Sequence, residues 1–353
     1  RKLAATPVRF SPERFCVVNN TASLKSLPKA EIHCHLEGAA PPDLVRRMAE
    51  RNGVELPEGL FTDDGTFHWT DFPDFLNAYD MASSSMRKAV DYRDVTYEYL
   101  RDCAAEGAIY VEVFSSPDHA AEVGMSYADH LTGMIDGIDD AFRDFGIIGR
   151  IIVTCVRHLG PERAVDVARA TVAELHPHVV GFGMGGNEMD FTQADFRPAF
   201  DMAASAGLPC TVHAGEVDGP QSVRDALDHL PVTRLGHGVR AIEDAGLVAE
   251  IAEKGIVLEC CPISNFSTGV YQNHSDHPLP KLMAAGCKVT LNSDDPPYFA
   301  TTIGHEYEEA ARGFGFSEAQ LLEITRNAIN GAFVDQATKT QLLAQVDDYQ
   351  AAT

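Results

Sequence analysis

Short apolar runs alternate with longer helical patterns along the whole chain. Several of the short runs are continuously apolar, as at 151–153 and 256–258. Continuous runs are typical of parallel strands that are covered on both faces. Eight such strands are predicted, at 30–34, 108–114, 149–156, 179–184, 209–212, 232–235, 255–260 and 287–291.

Helical patterns occupy the intervals between these strands, for example at 161–175 and 241–254. Eight strands that alternate with helices predict an α/β fold of the (β/α)₈ TIM barrel type rather than an open doubly wound sheet. The first strand runs into His-Cys-His-Leu-Glu-Gly and not into the glycine-rich turn of a dinucleotide-binding sheet. We therefore predict a single barrel domain over 1–353, with a C-terminal helical tail at 336–353.

The interval 38–107 is too long for an ordinary connection between the first two strands, and it is rich in aromatic residues. It predicts a helical insertion, which either has a small core of its own or forms a lid over the mouth of the barrel. The second alternative has a physical basis, because insertions of this kind lie where barrel active sites form.

The charge balance excludes one class of partner. Asp and Glu number 52 against 28 Lys and Arg, which gives a formal net charge of −24. A surface this acidic repels phosphate backbones and anionic membranes, so we expect no nucleic acid and no membrane as partners. The charge says nothing about a small-molecule partner. Oligomeric state is not readable from the pattern.

Cysteine usage and hydropathy predict a cytoplasmic protein. The 8 cysteines include no Cys-x-x-Cys pair, which favours reduced, mostly buried thiols. No apolar run approaches the roughly 18 residues of a membrane span. Residues 1–12 contain no apolar core of a signal peptide.

Polar residues with metal-binding chemistry follow the predicted strands. The first strand runs into His33 and His35, whose i, i+2 spacing places both imidazoles on one face. The fifth strand ends at His213, the sixth runs into His237, and Asp294 follows the eighth. The C-terminal ends of barrel strands meet on one rim, so these side chains can converge. Three imidazoles and a carboxylate suit zinc with room for a water.

Two further histidines do not follow a strand. His274 and His277 lie in a loop among Asn, Ser and Asp. We expect both on the solvated surface.

Five motifs together resemble the adenosine/adenine deaminase family. They are Pro-Lys-Ala-Glu-Ile-His-Cys-His-Leu-Glu-Gly at 28–38, His-Ala-Gly-Glu at 213–216, Arg-Leu-Gly-His-Gly at 234–238, Cys-Pro-Ile-Ser-Asn at 261–265 and Asn-Ser-Asp-Asp-Pro at 292–296. The resemblance runs from about residue 25 to 335 with the motifs in family order. It implies a zinc barrel that hydrolyses the 6-amino group of a purine and releases ammonia.

The resemblance also implies a role for each matching residue. It implies one zinc ion per chain, with His33, His35, His213 and Asp294 as its ligands. Glu216 resembles the acid that gives a proton to N1 of the purine, His237 the group that holds the attacking hydroxide, and Asp295 the base that orients the water. The implied substrate-binding residues are His35, Glu37, Phe75, Tyr79, Gly186 and Asp295, with the backbone N–H of Gly186 directed at N3 of the purine.

The substrate depends on one departure from the adenosine pattern. Adenosine deaminases usually carry Asp after His-x-His-Leu, where this chain has Glu37. The longer side chain still accepts a hydrogen bond but extends further into the ribose pocket. Gly236 and the Gly-Gly-Asn-Glu run at 185–188 are closer to the nucleoside-acting branch. We expect deamination of adenosine and deoxyadenosine in purine salvage; the alternative is adenine, or a modified adenine nucleoside.

Three rival hypotheses have less support in the residues. A two-metal amidohydrolase would need a bridging Lys or Glu after the fourth strand, where no Lys occurs and Glu188 follows a Gly-Gly turn. Polynucleotide deaminases use His-x-Glu together with Pro-Cys-x-x-Cys, and this pair of motifs is not present. A purine-binding protein without activity would not need every proton-transfer residue.

Overall fold

The computed structural model describes residues 21–352, which form a barrel of parallel strands with helices between them. The strands are paired in chain order from β1 to β8. Their bounds are Lys29–His35, Ala108–Ser115, Ile148–Val156, Val179–Gly185, Cys210–Ala214, Val232–His237, Val257–Cys260 and Lys288–Leu291. The predicted (β/α)₈ TIM barrel is confirmed, and every predicted strand overlaps an observed one. The prediction that 1–12 contains no signal peptide falls outside the described residues.

Helices follow the strands on the outside of the barrel. The helices α1 to α16 are Thr21–Ser26, Pro42–Asn52, Phe72–Ser83, Ala89–Ala105, Pro117–Glu122, Tyr127–Phe145, Pro161–Ala173, Arg197–Ser205, Pro220–His229, Ala245–Lys254, Pro262–Ser267, Leu279–Ala284, Pro296–Phe299, Ile303–Gly313, Glu318–Gly331 and Gln336–Ala352. The helix predicted at 241–254 is shorter than expected. It begins at Ala245 because the side chain of Asp244 accepts the backbone N–H groups of Gly246 and Leu247 and so caps it.

The barrel closes between β1 and β8, where the contact is short. The backbone N–H of His35 donates to the carbonyl of Asp294 at 2.9 Å, and that of Asp294 donates to the carbonyl of His33 at 3.3 Å. Below this point, the side-chain oxygen of Asn292 accepts the N–H of Ile32 at 2.9 Å. The seam that completes the barrel is therefore the place where the first and last candidate ligands meet.

The interval between β1 and β2 holds three helices. Helix α4 packs against α6 in the outer layer of the barrel. Helices α2 and α3 precede it, and α3 lies at the C-terminal rim, where Phe72, Phe75 and Tyr79 line the main cleft. At the other end of the chain, α16 covers 336–352, and Thr353 lies outside the described residues.

The interior below the rim is charged as well as apolar. Arg234 of β6 is 1% exposed and contacts Glu112 of β2 at 2.5 Å and Glu259 of β7 at 2.6 Å. These ion pairs join three strands across the barrel. The cysteines among the described residues are buried and unpaired. No helix in the part of the chain that the structure describes is both long and apolar enough to span a bilayer.

Candidate metal and active site

Four imidazoles and one carboxylate converge at the C-terminal rim of the barrel. His33 and His35 come from β1, His213 from β5 and His237 from β6, while Asp294 follows β8. The Nε2 atoms of His33 and His35 each lie 3.4 Å from Oδ1 of Asp294. Nε2 of His35 lies 3.2 Å from Nε2 of His213. Residues up to about 260 positions apart thus share one small volume.

The spacing of these atoms suits a four-coordinate metal ion. Bonds of about 2.0–2.1 Å to nitrogen and oxygen in a tetrahedron place the ligand atoms about 3.3 Å apart. The separations of 3.2–3.4 Å agree with that value. In addition, Nε2 of His33 is buried and has no hydrogen-bond partner. A buried nitrogen without a partner is costly unless a cation or another group uses its lone pair.

Two histidines compete for one place in the ligand set. A cluster of mutually close ligand atoms contains His33, His213, His237 and Asp294, while His35 forms a second cluster with Asp294 and Asp295. Nε2 of His237 lies 3.8 Å from Asp294 Oδ2, which is further than the 3.4 Å from His35 to Oδ1. The distance to Asp294 therefore favours His35, whereas the mutual proximity of the four ligand atoms favours His237.

Outer contacts hold the candidate ligands in place. Nδ1 of His33 lies 2.7 Å from a carboxylate oxygen of Glu259, and Nδ1 of His213 lies 2.8 Å from the carbonyl oxygen of Met184. The hydroxyl of Ser264 donates to Asp294 at 2.6 Å. Such contacts orient metal ligands and tune their basicity. Sequence reasoning missed Glu259, whose only local signal is that it is an acid within an otherwise apolar strand.

Backbone strain accompanies the site. His237 and Asp294 have φ values of 57° and 63°, in the left-handed region that non-glycine residues rarely adopt. Strain of this kind persists only where the surrounding structure enforces it. At both strand ends it turns a polar side chain into the barrel mouth.

Two buried acids face the same cleft. Glu216 and Asp295 are 5% and 4% exposed. Burial, reinforced by the charges of Asp294 and Glu188, raises the pKa of Glu216 well above its usual range. Burial and the charges of Asp294 and Glu216 do the same to the pKa of Asp295. The raised pKa favours the protonated form of Glu216 and makes Asp295 a stronger base than an exposed carboxylate.

Gly38 packs so closely against Asp295 that no residue with a Cβ fits at position 38. A Cβ at Gly38 would lie 1.8 Å from Oδ1 of Asp295 and 2.9 Å from the ring of Tyr79. Oδ1 of Asp295 itself is buried and has no hydrogen-bond partner. The glycine lets an unpaired carboxylate oxygen remain at the centre of the site.

Glu188 fixes the loop that carries Glu216. Its carboxylate accepts four consecutive backbone N–H groups, from Gly215, Glu216, Val217 and Asp218. Sequence reasoning weighed Glu188 only as a bridging metal ligand and missed this role. Its partners lie 27 to 30 positions later in the chain, so no local pattern indicates the contact.

Arg157 fastens the same region from below, and sequence reasoning missed it too. It is 1% exposed, and its guanidinium donates to the carbonyl of Glu188 at 3.2 Å and to that of His213 at 3.0 Å. The carbonyl of a candidate ligand and that of the loop anchor are thus held by one side chain.

Glu37 is engaged by the protein itself. Oε1 accepts the hydroxyl of Ser115 at 2.6 Å and the N–H of Ser116 at 3.2 Å, while Oε2 accepts the hydroxyl of Tyr79 at 3.2 Å. The side chain is 2% exposed. Behind it, Ser115 Oγ lies 2.8 Å from Nε2 of His130. Glu37 therefore ties α3 to the end of β2 beside the cleft.

The cleft contains most of the residues predicted from the sequence. Its apolar wall includes Phe75 and Phe299. Gly186 also lines the cleft, with φ 97° and with space limited by His158, whose Nδ1 would lie 2.9 Å from a Cβ. The predicted residues that line it are His35, Glu37, Phe75, Tyr79, Gly186, His213, Glu216, His237, Asp294 and Asp295. His33 lies behind them, with its ring 4.6 Å from that of His213.

The expectation for His277 is wrong. The side chain is 1% exposed and lies 3.1 Å from Asn265, which in turn contacts His237. The polar loop sequence misled because the ring itself turns inward against Tyr271 and Phe314. His274, in contrast, keeps a third of its side chain exposed and contacts Glu309.

Comparison with known proteins gives consistent results. The sequence profile of the adenosine deaminase family matches residues 28–349. The chain is 48% identical to a protein named adenine deaminase from Chelativorans sp. (strain BNC1), over 91% of this chain and 98% of that protein. It is also 48% identical to one of the same name from Mesorhizobium japonicum, over 90% and 98%.

Solved structures show the same architecture. The crystal structure of adenine deaminase from Arthrobacter aurescens superposes with a TM-score of 0.87 at 31% identity, covering 92% of this chain and 99% of that one. An amidohydrolase from Burkholderia ambifaria with bound Zn has a TM-score of 0.86 at 29% identity, with 98% and 96% covered.

Proposed function

The chain belongs to the adenosine deaminase family, and we propose that it converts adenine and water to hypoxanthine and ammonia. The observation that carries the chemistry is the convergence of three imidazoles, Asp294 and two further buried acids in one cleft. Hydrolytic deamination needs a nucleophilic water, a proton donor for the ring and a proton acceptor for the water. This cleft offers a side chain for each.

Zinc is the proposed cofactor, held by His33, His35, His213 and Asp294. The donor set of nitrogen and oxygen atoms, their 3.2–3.4 Å separations and the unpaired Nε2 of His33 support it. When bound, such an ion lowers the pKa of water from 15.7 to about 7 and so supplies a nucleophile at neutral pH.

The protein's own residues would move the protons. Glu216 would donate a proton to N1 of the purine, which makes C6 electrophilic. Asp295 would take one proton from the attacking water as the C6–O bond forms and C6 becomes tetrahedral, and it would pass that proton to the amino group. The C6–N bond would then break, ammonia would leave with the bonding electron pair, and the proton left on the new oxygen would restore the acid form of Glu216 as the 6-oxo group forms. His237, with Nε2 3.6 Å from Glu216, would donate a hydrogen bond to the incoming oxygen.

Adenine is the second of the two substrates predicted from the sequence, and the relatives favour it over adenosine. The relatives at 48% identity carry the name adenine deaminase. The surroundings of Glu37 also support it. Its carboxylate is already hydrogen-bonded to Ser115, Ser116 and Tyr79, and it stands beside the cleft where a ribose would need room. The aromatic residues of α3 would then cover a flat base, as a lid.

Steady-state kinetics test the proposal directly. Ammonia release from adenine, adenosine and deoxyadenosine is measured with the same zinc-loaded preparation. We expect kcat/KM for adenine to exceed that for adenosine by at least about 10²-fold, the scale on which a closed pocket rejects a larger ligand. Glu216→Gln serves as the matched control, since it should lower ammonia release from every substrate by about 10²–10⁴-fold if contaminating enzymes are absent. A preference for adenosine would contradict the proposal.

Glu37→Ala separates the two substrates further. Removal of the carboxylate opens space next to the base, so the ratio of kcat/KM for adenosine to that for adenine should rise. If the ratio instead falls because adenosine alone is damaged, Glu37 contacts a ribose and the substrate is a nucleoside.

A further inference from the structure

Hydrogen-bond partners decide which nitrogen of each histidine in the site carries the proton. A neutral imidazole has one N–H and one lone pair, so the partner of one nitrogen determines the use of the other. Nδ1 of His33 faces the carboxylate of Glu259 at 2.7 Å, and Nδ1 of His213 faces the carbonyl of Met184 at 2.8 Å. Both partners accept hydrogen bonds. Each ring therefore has its proton on Nδ1 and its lone pair on Nε2, ready for a metal.

His237 has the opposite surroundings, set by a chain of three hydrogen bonds. The backbone N–H of Leu279 can only donate, and it donates to Nδ1 of His277 at 3.2 Å. The proton of His277 is then on Nε2, which lies 3.1 Å from Oδ1 of Asn265. This contact turns the amide so that Nδ2 faces Nδ1 of His237, at 3.4 Å. An amide NH₂ only donates, so Nδ1 of His237 must accept.

We infer that Asn265 and His277 are positioning residues that keep the proton of His237 on Nε2. In that tautomer His237 has no lone pair directed at the metal site, and it can only donate a hydrogen bond there. The competition between His35 and His237 for a ligand position is thereby decided in favour of His35. The direction of all three hydrogen bonds is set by one donor, the backbone N–H of Leu279, which lies about 40 residues from His237 in the sequence.

The three side chains that form these hydrogen bonds are buried away from water, and the ring of His277 stays neutral. His277, Asn265 and His237 are 1%, 0% and 1% exposed. Burial, together with the nearby His274 and His237, lowers the pKa of His277 to about 3, so the ring stays neutral at physiological pH. Phe314 and Tyr271 pack against the ring of His277 at centroid distances of 5.5 and 5.0 Å. Water therefore does not compete for the three hydrogen bonds.

The role of these hydrogen bonds in catalysis rests on the proposed function, whereas the tautomer of His237 does not. Nε2 of His237 faces Glu216 Oε2 at 3.6 Å and Asp294 Oδ2 at 3.8 Å, across the space that an attacking water would occupy. A fixed donor at this position stabilises negative charge that develops on the oxygen. In the other tautomer, the same nitrogen would present a lone pair to that charge.

Nitrogen NMR tests the tautomer without any substrate. Zinc-loaded protein with ¹⁵N-labelled histidine is compared with His237→Gln, which identifies the His237 signals by their absence. We expect a protonated Nε2 and an unprotonated Nδ1 for His237, and the reverse proton position for His33 and His213. Protonation of His237 at Nδ1, or metal coordination through its Nε2, would overturn the inference. A failure to deaminate adenine would overturn the proposed function and leave this result standing.

Substitutions at Asn265 and His277 test whether the tautomer of His237 affects turnover. Asn265→Asp removes the N–H that faces His237 and offers an acceptor instead, so the proton should move to Nδ1. Zinc content should stay at one equivalent, while kcat falls by about 10²–10³-fold, as for loss of one donor to a developing oxyanion. As a single substitution, His277→Gln should retain near-normal turnover, because its amide can accept from the N–H of Leu279 and donate to Asn265.

Two further variants complete the design. His277→Leu should behave like Asn265→Asp, since it leaves the amide of Asn265 free to rotate. Thr268→Val removes a nearby hydrogen bond to the carbonyl of Ser264 without touching the chain, and it should match the wild type. If Asn265→Asp folds and keeps both its wild-type kcat and a protonated Nε2 on His237, the inference is wrong. If that variant does not fold, the wild-type spectrum together with His277→Leu decides.

Discussion

Glu188→Gln should strongly reduce turnover, although Glu188 does not line the cleft. One oxygen of Glu188 accepts from Glu216, Val217 and Asp218 at 2.8–3.0 Å, and the other accepts from Gly215 and from the hydroxyl of Ser222. Glutamine keeps the shape but has one carbonyl oxygen and one NH₂ group. Whichever way it turns, at least one buried backbone N–H meets an NH₂ and loses its acceptor.

The contacts give the size of the effect. With the amide oxygen toward Glu216, Val217 and Asp218, the N–H of Gly215 is left unpaired at a cost of about 1–3 kcal/mol. The remaining bonds change from charged to neutral, which weakens each by roughly 1 kcal/mol. Partial relaxation of the loop leaves about 3 kcal/mol as the net loss of the closed arrangement. Since 1.36 kcal/mol is tenfold in rate, kcat should fall by about 10²-fold.

The assay measures kcat and KM for adenine, zinc content and the thermal midpoint of Glu188→Gln. We expect kcat to fall far more than KM rises, with zinc retained, because the loop at 215–218 carries the proposed proton donor and none of the proposed zinc ligands. Glu174→Gln, an exposed acid at the end of α7, controls for the change of charge. A kcat within about threefold of wild type would refute the reasoning, since a loop free of its anchor could not hold Glu216 in place.

Three other predictions concern the cleft itself. Gly38→Ala should reduce kcat by at least about 10²-fold, the lower range for a lost acid or base, because its Cβ would fall 1.8 Å from Asp295; activity assays on a folded, zinc-containing protein check this, and near-normal turnover would contradict it. Glu216→Gln should keep zinc and bind purine, while kcat falls by about 10²–10⁴-fold; a loss under tenfold would demote Glu216 to a positioning role. His213→Ala should lose both metal and turnover by elemental analysis and ammonia assay, and full activity without metal would refute a metal-dependent reaction.

The strands and the chemistry of their ends could be predicted from the sequence. Strands covered on both faces must be apolar throughout, so runs such as those at 151–153 and 256–258 identify themselves. In a parallel barrel all carboxyl ends lie on one rim, so His33, His213 and Asp294 were expected to meet before any distance was known.

The packing of the interval 38–107 could not be predicted from the sequence. The interval 38–107 was predicted as one helical insertion, whereas α4 at its end packs in the outer layer of the barrel against α6. A helical pattern shows that a segment is helical but not which neighbour covers it. The same limit explains His277, which was expected at the surface because the residues around it are polar.

The contacts that support the site become visible only in the folded protein. Glu259 meets His33 from 226 positions away, and Glu188 meets the loop at 215–218 from nearly thirty. No local pattern names the partner of either acid, because hydrogen bonds of this kind depend on the position of a partner and not on the order of neighbouring residues. The proton position on His237 depends on the orientation of Asn265, which in turn depends on a buried ring. The order of residues shows which groups could do chemistry here, whereas the folded barrel decides which of them lie within reach of one another.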